Sequence, residues 1–525
     1  MTEMAVQIAS VAGHIPQRAP AALGWKRLLY LTHRWIGIVL GTLVFVWFTS
    51  GIAMAFYDWP AYTDSQLLSQ LTPFDATDSL VGFAAAARAA QGRIPSLTFP
   101  AKVTDRTPIG GRLFWWRDRP AYQIWGELAY HPVALALVDA RTGSVLSPID
   151  PAAASAIAAE RVEAGARVKG VDLLARGDHY MENRDYAHEF PAYRVRFANP
   201  SATAIYVEQR GGTAFGRATS TTRLTTWLGT VPHWMYFQWL LQDRESLWQQ
   251  LSVGLPAIAV LIALTGITLG LVQLFPNRKR GRWRPTAYRG VSKWHHLAGV
   301  IFGLLVLTWT FTGILENLGP STFPSGAQVA RARGDRLRWD QIRVTEAAAL
   351  AQLSDRSRPV AIDLVQLEDQ PGYDIHLADG WEFWVDATTG HSRSVLAADD
   401  ADRIASRVMG GSAPIARADF LTRYDSYYYA RPGRERHLPA WRVTFADAVG
   451  SVVYLDAVNG TPVGFTDHAI RVWRWARDAI HSFDYPALNS TRLLWYAVVL
   501  PLLLGGATSA VTGAYLLVRR VRRMA

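Results

Sequence analysis

The chain has no cysteine among its 525 residues. That absence removes disulfides, iron–sulfur clusters, thiolate zinc sites, thioether-linked haem and cysteine nucleophiles together. Any metal must be held by histidine or carboxylate. Charge is also scarce, at 18% of residues against a usual ~25%. Acid is missing altogether from Arg278–Lys293, which carries seven basic residues. No Gly-rich nucleotide loop follows a strand-like run, and there is no P-loop, no Ser–His–Asp order and no His-Glu-x-x-His.

Four almost uncharged runs are present instead: Leu28–Tyr57, Leu251–Phe275, Trp294–Leu315 and Leu493–Val518. Each is long enough for a bilayer crossing, which takes ~20 residues. The reading is a polytopic membrane protein, and a soluble enzyme is excluded. The N-terminal tail is too long and too basic to read as a cleaved signal peptide. The net charge of +11 sits beside the runs, in Arg278–Lys293 and in Arg519, Arg520, Arg522 and Arg523. Such placement is a positive-inside signal rather than a nucleic-acid footprint. It predicts a cytoplasmic tail (1–27), a helix (28–57), an extracytoplasmic domain ending in an amphipathic segment (58–250) and a second helix (251–275). A basic cytoplasmic loop (276–293), a third helix (294–316), a second such domain (317–492), a fourth helix (493–518) and a basic tail (519–525) complete the order.

The chain reads as a duplication. At an offset of 262, His33 falls on His295, Gly37 on Gly299, Gly41 on Gly303, Trp47 on Trp309 and Gly51 on Gly313. At an offset of 248, Tyr193 falls on Trp441, Arg194 on Arg442 and His233 on His481. A hydroxyl–glycine pair occurs in every run: Ser50-Gly51, Thr265-Gly266, Thr312-Gly313 and Thr512-Gly513. Such residues allow close approach of a helix or a cofactor. The fold class expected is α+β, with four transmembrane helices in two tandem units. Helical stretches are predicted at Ala84–Ala90 and Thr345–Leu353, and hairpins at Val138–Gly143, Tyr206–Gly212, Val385–Gly390 and Tyr454–Gly460.

These features resemble the PepSY-associated transmembrane helix family of bacterial inner-membrane proteins. The resemblance rests on His-x-x-x-Gly in each odd-numbered helix, the Val-Asp-x-x-Thr-Gly hairpins and a histidine in the segment before each even-numbered helix. It implies two PepSY-like periplasmic domains, an inner-membrane location, and kinship with haem-containing reductases of iron uptake, including ferric-siderophore reductases. The chain departs from its own repeat at His296, where the first unit has Arg34.

The histidines then acquire a chemistry. A haem b needs two imidazoles facing each other across an apolar slot. Histidine with glycine four residues later puts a ligand and a bare backbone patch on one helix face. Depth pairs His33 with His295, and His233 with His481, giving two bis-histidine haems, with Gly37 and Gly299 against the porphyrin. His296 reads as a second contact rather than a ligand. His179, His188, His376, His391, His437 and His468 read as solvated loop residues. Trp47 and Trp309 are candidate electron relays, or packing residues. Arg194, Arg442, Tyr193 and Trp441 form a candidate surface for a ferric chelate, or the arginines pair with Glu208 and Asp456. The function expected is electron transfer from a cytoplasmic donor, a reduced flavin or a reductase, to a periplasmic ferric chelate. The rivals are a haem-free regulatory or binding protein that takes a peptide, protease or transporter partner, and a carrier of the chelate or haem. Glu316 is the only acid in the spans, which weighs against a proton-coupled carrier.

Overall fold

The computed structural model describes residues 24–57, 59–74, 79–92, 107–128, 131–182, 186–275, 285–353, 358–431, 435–489 and 491–522. Residues 1–23, 276–284 and 523–525, and with them the N-terminal tail and much of the basic loop, lie outside these. Among the described residues, four helices are long and apolar enough to cross a membrane: Trp25–Ala55, Glu245–Val272, Val291–Leu318 and Arg492–Val521. They run past the apolar stretches at one or both ends. Glu245 lies in the first turn of the second helix and Arg519 and Arg520 in the last turn of the fourth, where each sign suits the helix dipole.

The chain forms two compact units. One comprises Met1–Phe45, Leu255–Thr310 and Leu504–Ala525 and is helical among its described residues. The other comprises Val46–Gly254 and Phe311–Leu503 and holds all the β-structure found among the described residues.

Three sheets organise the second unit. Strands β1 (Gly110–Trp116), β2 (Arg119–Leu128) and β3 (His131–Asp139) form an antiparallel meander. Strands β4 (Arg167–Leu174), β5 (Ala192–Ala198), β6 (Ala204–Glu208) and β7 (Ala214–Ala218) form a second sheet. Strands β8 (Pro359–Leu367), β9 (Gln370–Leu377), β10 (Glu382–Asp386) and β11 (Ser392–Arg393) join the first meander through β1 and β8, making seven strands in the order β11-β10-β9-β8-β1-β2-β3. Strands β12 (Ile415–Leu421), β13 (Ala440–Phe445), β14 (Val452–Asp456) and β15 (Pro462–Thr466) form the last sheet. The seven-stranded sheet packs its core around Phe83, Tyr122, Ile124, Ile362 and Tyr373. Glu346 is buried there and accepts from Phe83 N–H and from the Tyr122 hydroxyl, tying the two meanders together.

The expected helices are Phe83–Gly92 and Glu346–Leu350, the latter capped by Thr345. All four expected turns form by one device. Asp139, Asp386 and Asp456 accept from the backbone N–H groups two and three residues on, and Glu208 does the same. Gly143, Gly212, Gly390 and Gly460 close the turns at φ between +70° and +78°, where a Cβ is disfavoured. The amphipathic segments are not continuous helices. Each contains a π-turn, at Thr226–Thr230 and at Trp475–Ala479. Such turns occur often where a helix carries function.

Candidate functional site

The helical unit brings His33 and His295 together, with ring centroids 6.2 Å apart and planes at 37°. His33 Nδ1 lies 3.1 Å from the Ile262 carbonyl and 3.2 Å from Thr265 Oγ1. His295 Nδ1 lies 3.1 Å from the Ser509 carbonyl and 3.3 Å from Thr512 Oγ1. A carbonyl only accepts, so in these bonds Nδ1 carries the proton and donates. That leaves Nε2 of each ring with its lone pair available, the arrangement by which outer hydrogen bonds orient a metal-binding histidine.

The β-containing unit brings His233 and His481 together in the same way, at 6.3 Å and 65°. His233 Nδ1 lies 3.2 Å from the Trp47 carbonyl and 3.0 Å from Ser50 Oγ. His481 Nδ1 lies 2.9 Å from Thr312 Oγ1. Burial, with a smaller push from the neighbouring His481 ring, pulls His233 down to about 3. His233 is therefore neutral at pH 7, as a ligand must be. Met235 and Phe483, each two residues beyond its histidine, have left-handed backbones at φ 56° and 52°. Non-glycine residues in that conformation cost on the order of 1–3 kcal/mol each and cluster at functional sites.

The four hydroxyl–glycine pairs of the sequence are the seats of the four histidines. In each pair the hydroxyl meets a histidine Nδ1. The adjacent glycine leaves room for the same ring. A Cβ on Gly266 would stand 2.7 Å from His33 Cε1, and one on Gly513 3.1 Å from His295 Cε1. A Cβ on Gly51 or Gly313 would stand 3.9 or 3.8 Å from the Cε1 of His233 or His481. Sequence reasoning found these pairs but not their partners, because each histidine is supplied by a different element from its seat.

Two imidazoles on opposite sides of one metal have centroids roughly 6.2 Å apart, if each bond is ~2 Å and each ring centre lies ~1.1 Å behind its nitrogen. Both pairs fit that spacing. The first pair also opens onto a cavity of about 660 Å³. Gly37, Gly41, Gly299 and Gly303 line it, and a Cβ on Gly37 or Gly299 would meet no protein atom within 4 Å. Arg34, Arg519 and Arg520 also line it, so an apolar slot carries basic groups able to take carboxylates. The buried Arg34 Nε has no hydrogen-bond partner. The residues fit a flat, bis-imidazole, acid-bearing group such as haem b.

The remaining expected residues divide. His296 lines the same cavity but turns Nε2 to the Gly270 carbonyl at 3.0 Å, away from the His33–His295 pair. Trp47 contributes its carbonyl to His233, and Trp309 is buried in the third long helix. In the expected chelate surface both arginines are engaged in ion pairs. Arg194 is held by Asp178 and Asp172 at 2.9 and 3.1 Å, and Arg442 by Asp419 and Asp425 at 2.8 and 3.1 Å. Glu208 and Asp456, the partners expected from sequence, cap turns instead. Tyr193 is buried in a core, and Trp441 packs against another while donating to the Leu396 carbonyl. Glu316 is paired with Arg477 at 3.4 Å. His376 is buried in β9 and not in a solvated loop. The chain matches no protein-family model, and no curated protein matches it.

Proposed function

We propose that this chain is a di-haem electron conduit of a bacterial inner membrane, of the kind its histidine motifs resemble. It would take electrons from a reduced flavin or a reductase on the cytoplasmic side. It would deliver them to a ferric chelate in the periplasm, whose iron is released as Fe(II). The observation that carries the reading is the pair of facing imidazoles, built twice at 6.2 and 6.3 Å on hydroxyl–glycine seats. The same twofold recurrence supports a tandem duplication, with each half supplying one histidine of each pair.

Haem b, when bound, supplies reversible one-electron chemistry. The protein's own part is to hold, orient and shield. His33, His295 and His233, whose Nδ1 groups donate to carbonyls, present Nε2 lone pairs, and His481 would do so with its proton on Nδ1. Thr265, Thr512, Ser50 and Thr312 fix the rings and make them more basic through Nδ1. Gly37 and Gly299 keep the slot open. Arg34, Arg519 and Arg520 would balance the acid groups of the bound ring. With Arg194 and Arg442 held by aspartates, the chelate is expected to be met elsewhere on the periplasmic face.

The test is a spectrum of protein purified from haem-replete cells. Two haems per chain, a Soret band that shifts on dithionite, and fast reoxidation by a ferric chelate are expected. Colourless protein overturns the reading and favours a haem-free binding protein. Reduced protein that reoxidises no faster with a ferric chelate than without one removes the reductase function.

A further inference from the structure

A second donor cluster lies on the seven-stranded sheet, apart from the four histidines above. Asp374 and His376 are two apart on β9 and share one face. Glu382 on β10 is the direct cross-strand neighbour of His376. One donor atom from each of the three lies within 4.8 Å of the others. Asp374 and His376 are 4% and 7% exposed.

Two observations point to an occupant. Asp374 Oδ2 accepts from Asn459 Nδ2 at 2.7 Å, but the buried Asp374 Oδ1 has no hydrogen-bond partner among the described residues. His376 Nε2 lies 3.1 Å from Asp363 Oδ2, and Asp363 is itself held in two bonds by Arg112, each 2.7 Å. With its proton on Nε2, His376 donates to this carboxylate and turns Nδ1 towards Glu382. Carboxylate, histidine and open nitrogen in line is the outer-shell arrangement of many zinc sites. Asp363 and Asp374 also face each other directly across β8 and β9, where like charges are unfavourable. The cluster is short of positive charge.

Two occupants would supply it, a second proton on His376 or a cation. His376 Nδ1 stands 3.4 Å from Glu382 Oε1 without meeting hydrogen-bond geometry. A charge-assisted N–H···O contact is ~2.7–2.9 Å. Two donors on a tetrahedral metal with bonds of ~2.0–2.1 Å are roughly 3.3 Å apart. The spacing suits the metal. One imidazole and two carboxylates suit a first-row divalent ion better than calcium or magnesium, which prefer all-oxygen shells of six or more. We propose that Asp374, His376 and Glu382 form a binding site for a first-row divalent metal ion of the zinc class, with Asp363 positioning His376.

The proposal is independent of the haem reading, because zinc analysis does not register haem iron. Full-length protein in detergent would be stripped with chelator, incubated with Zn²⁺, desalted and analysed by mass spectrometry, with Co²⁺ absorption as a second probe. One tightly held Zn²⁺ per chain is expected, with a raised unfolding temperature. Asp374→Asn with Glu382→Gln should weaken binding by tenfold or more and abolish the thermal shift, while His391→Gln should change neither. If the double variant does not fold, Glu382→Gln alone keeps the strand pairing and serves the same purpose. Absence of stoichiometric metal in the wild type, or binding retained in the folded variant, overturns the proposal and leaves a doubly protonated His376.

Discussion

The two histidine pairs reach one geometry by different routes. His33 and His295 project from long, regular helices and are received by hydroxyl–glycine seats on two other long helices. His233 and His481 come from short broken segments, each with a π-turn before the histidine and a left-handed residue after it. Their seats lie on the helices that carry the first pair. Helix rigidity fixes the first pair, and local backbone strain fixes the second. Distance between the rings is held almost constant while the angle between them is not, 37° against 65°. The spacing is thus the constrained quantity, as expected where both rings must reach one atom.

The largest effect that could break this comparison comes from removing a histidine. His33→Ala or His295→Ala should lose about half of the haem, leaving the His233–His481 share intact, and the reverse should hold for His233→Ala or His481→Ala. Pyridine haemochrome quantification measures this. If one substitution empties both sites, the pairs are not separate.

A smaller effect separates seat from slot. Gly266→Ala places a Cβ 2.7 Å from His33 Cε1, and should weaken haem uptake at that pair by roughly 10–100-fold, as outer-shell changes do. Gly37→Ala meets no protein atom within 4 Å among the described residues, so haem-free stability should hold or rise by up to ~1 kcal/mol while haem uptake falls. Thermal unfolding of haem-free protein, set beside haem titration, distinguishes the two. Equal loss of stability in both variants would count against the slot.

Acid should act on the second pair. Burial lowers His233 from 6.5 to about 3, so the unfolded chain binds the proton more strongly. Stability from this group is complete above pH ~6.5 and falls by up to about 1.4 kcal/mol per pH unit as pH drops towards 3. Unfolding of haem-free protein between pH 7 and 4 checks the slope. A His233→Gln variant should show a flatter slope, and an unchanged one would remove His233 as its source.

The subtlest test concerns the rings themselves. Two inter-ring angles should give two low-spin ferric signals in electron paramagnetic resonance. Ser50→Ala, which removes one acceptor from His233, should raise one midpoint potential by roughly 20–60 mV, the worth of one hydrogen bond to a one-electron couple. A single signal, or a shift in both potentials, would weaken the distinction drawn here.

Much of this arrangement was legible in the sequence for a definite reason. Apolar length and local turn chemistry are written in consecutive residues, so the four long helices and the four Asp- or Glu-initiated turns could be located. The depth of each histidine relative to the apolar runs likewise suggested which rings should meet. Contacts set by tertiary register were not legible. Arg194 lies opposite Asp172 only because β4 pairs with β5 in one register, while Glu208, adjacent to the strand end, is consumed by its own turn. His376 is flanked by Ile375 and Leu377 in a strand, so the expectation of a solvated loop overlooked the local pattern. The meander that covers it is assembled from both halves of the chain. The union of β1 with β8 left no signal, since neither strand differs in composition from an ordinary edge.

That union has a consequence for biosynthesis. Arg112 on β1 meets Asp363 on β8, 251 residues later. At ~5–20 residues per second, the ribosome takes roughly 10–50 s to deliver the partner strand. Throughout that interval the hydrogen-bonding edge of β1 is unfilled, with Leu113 and Phe114 beside it. A newly made chain therefore spends nearly half of its synthesis with an adhesive border exposed. Its yield should depend on whatever shields that border until the second half arrives.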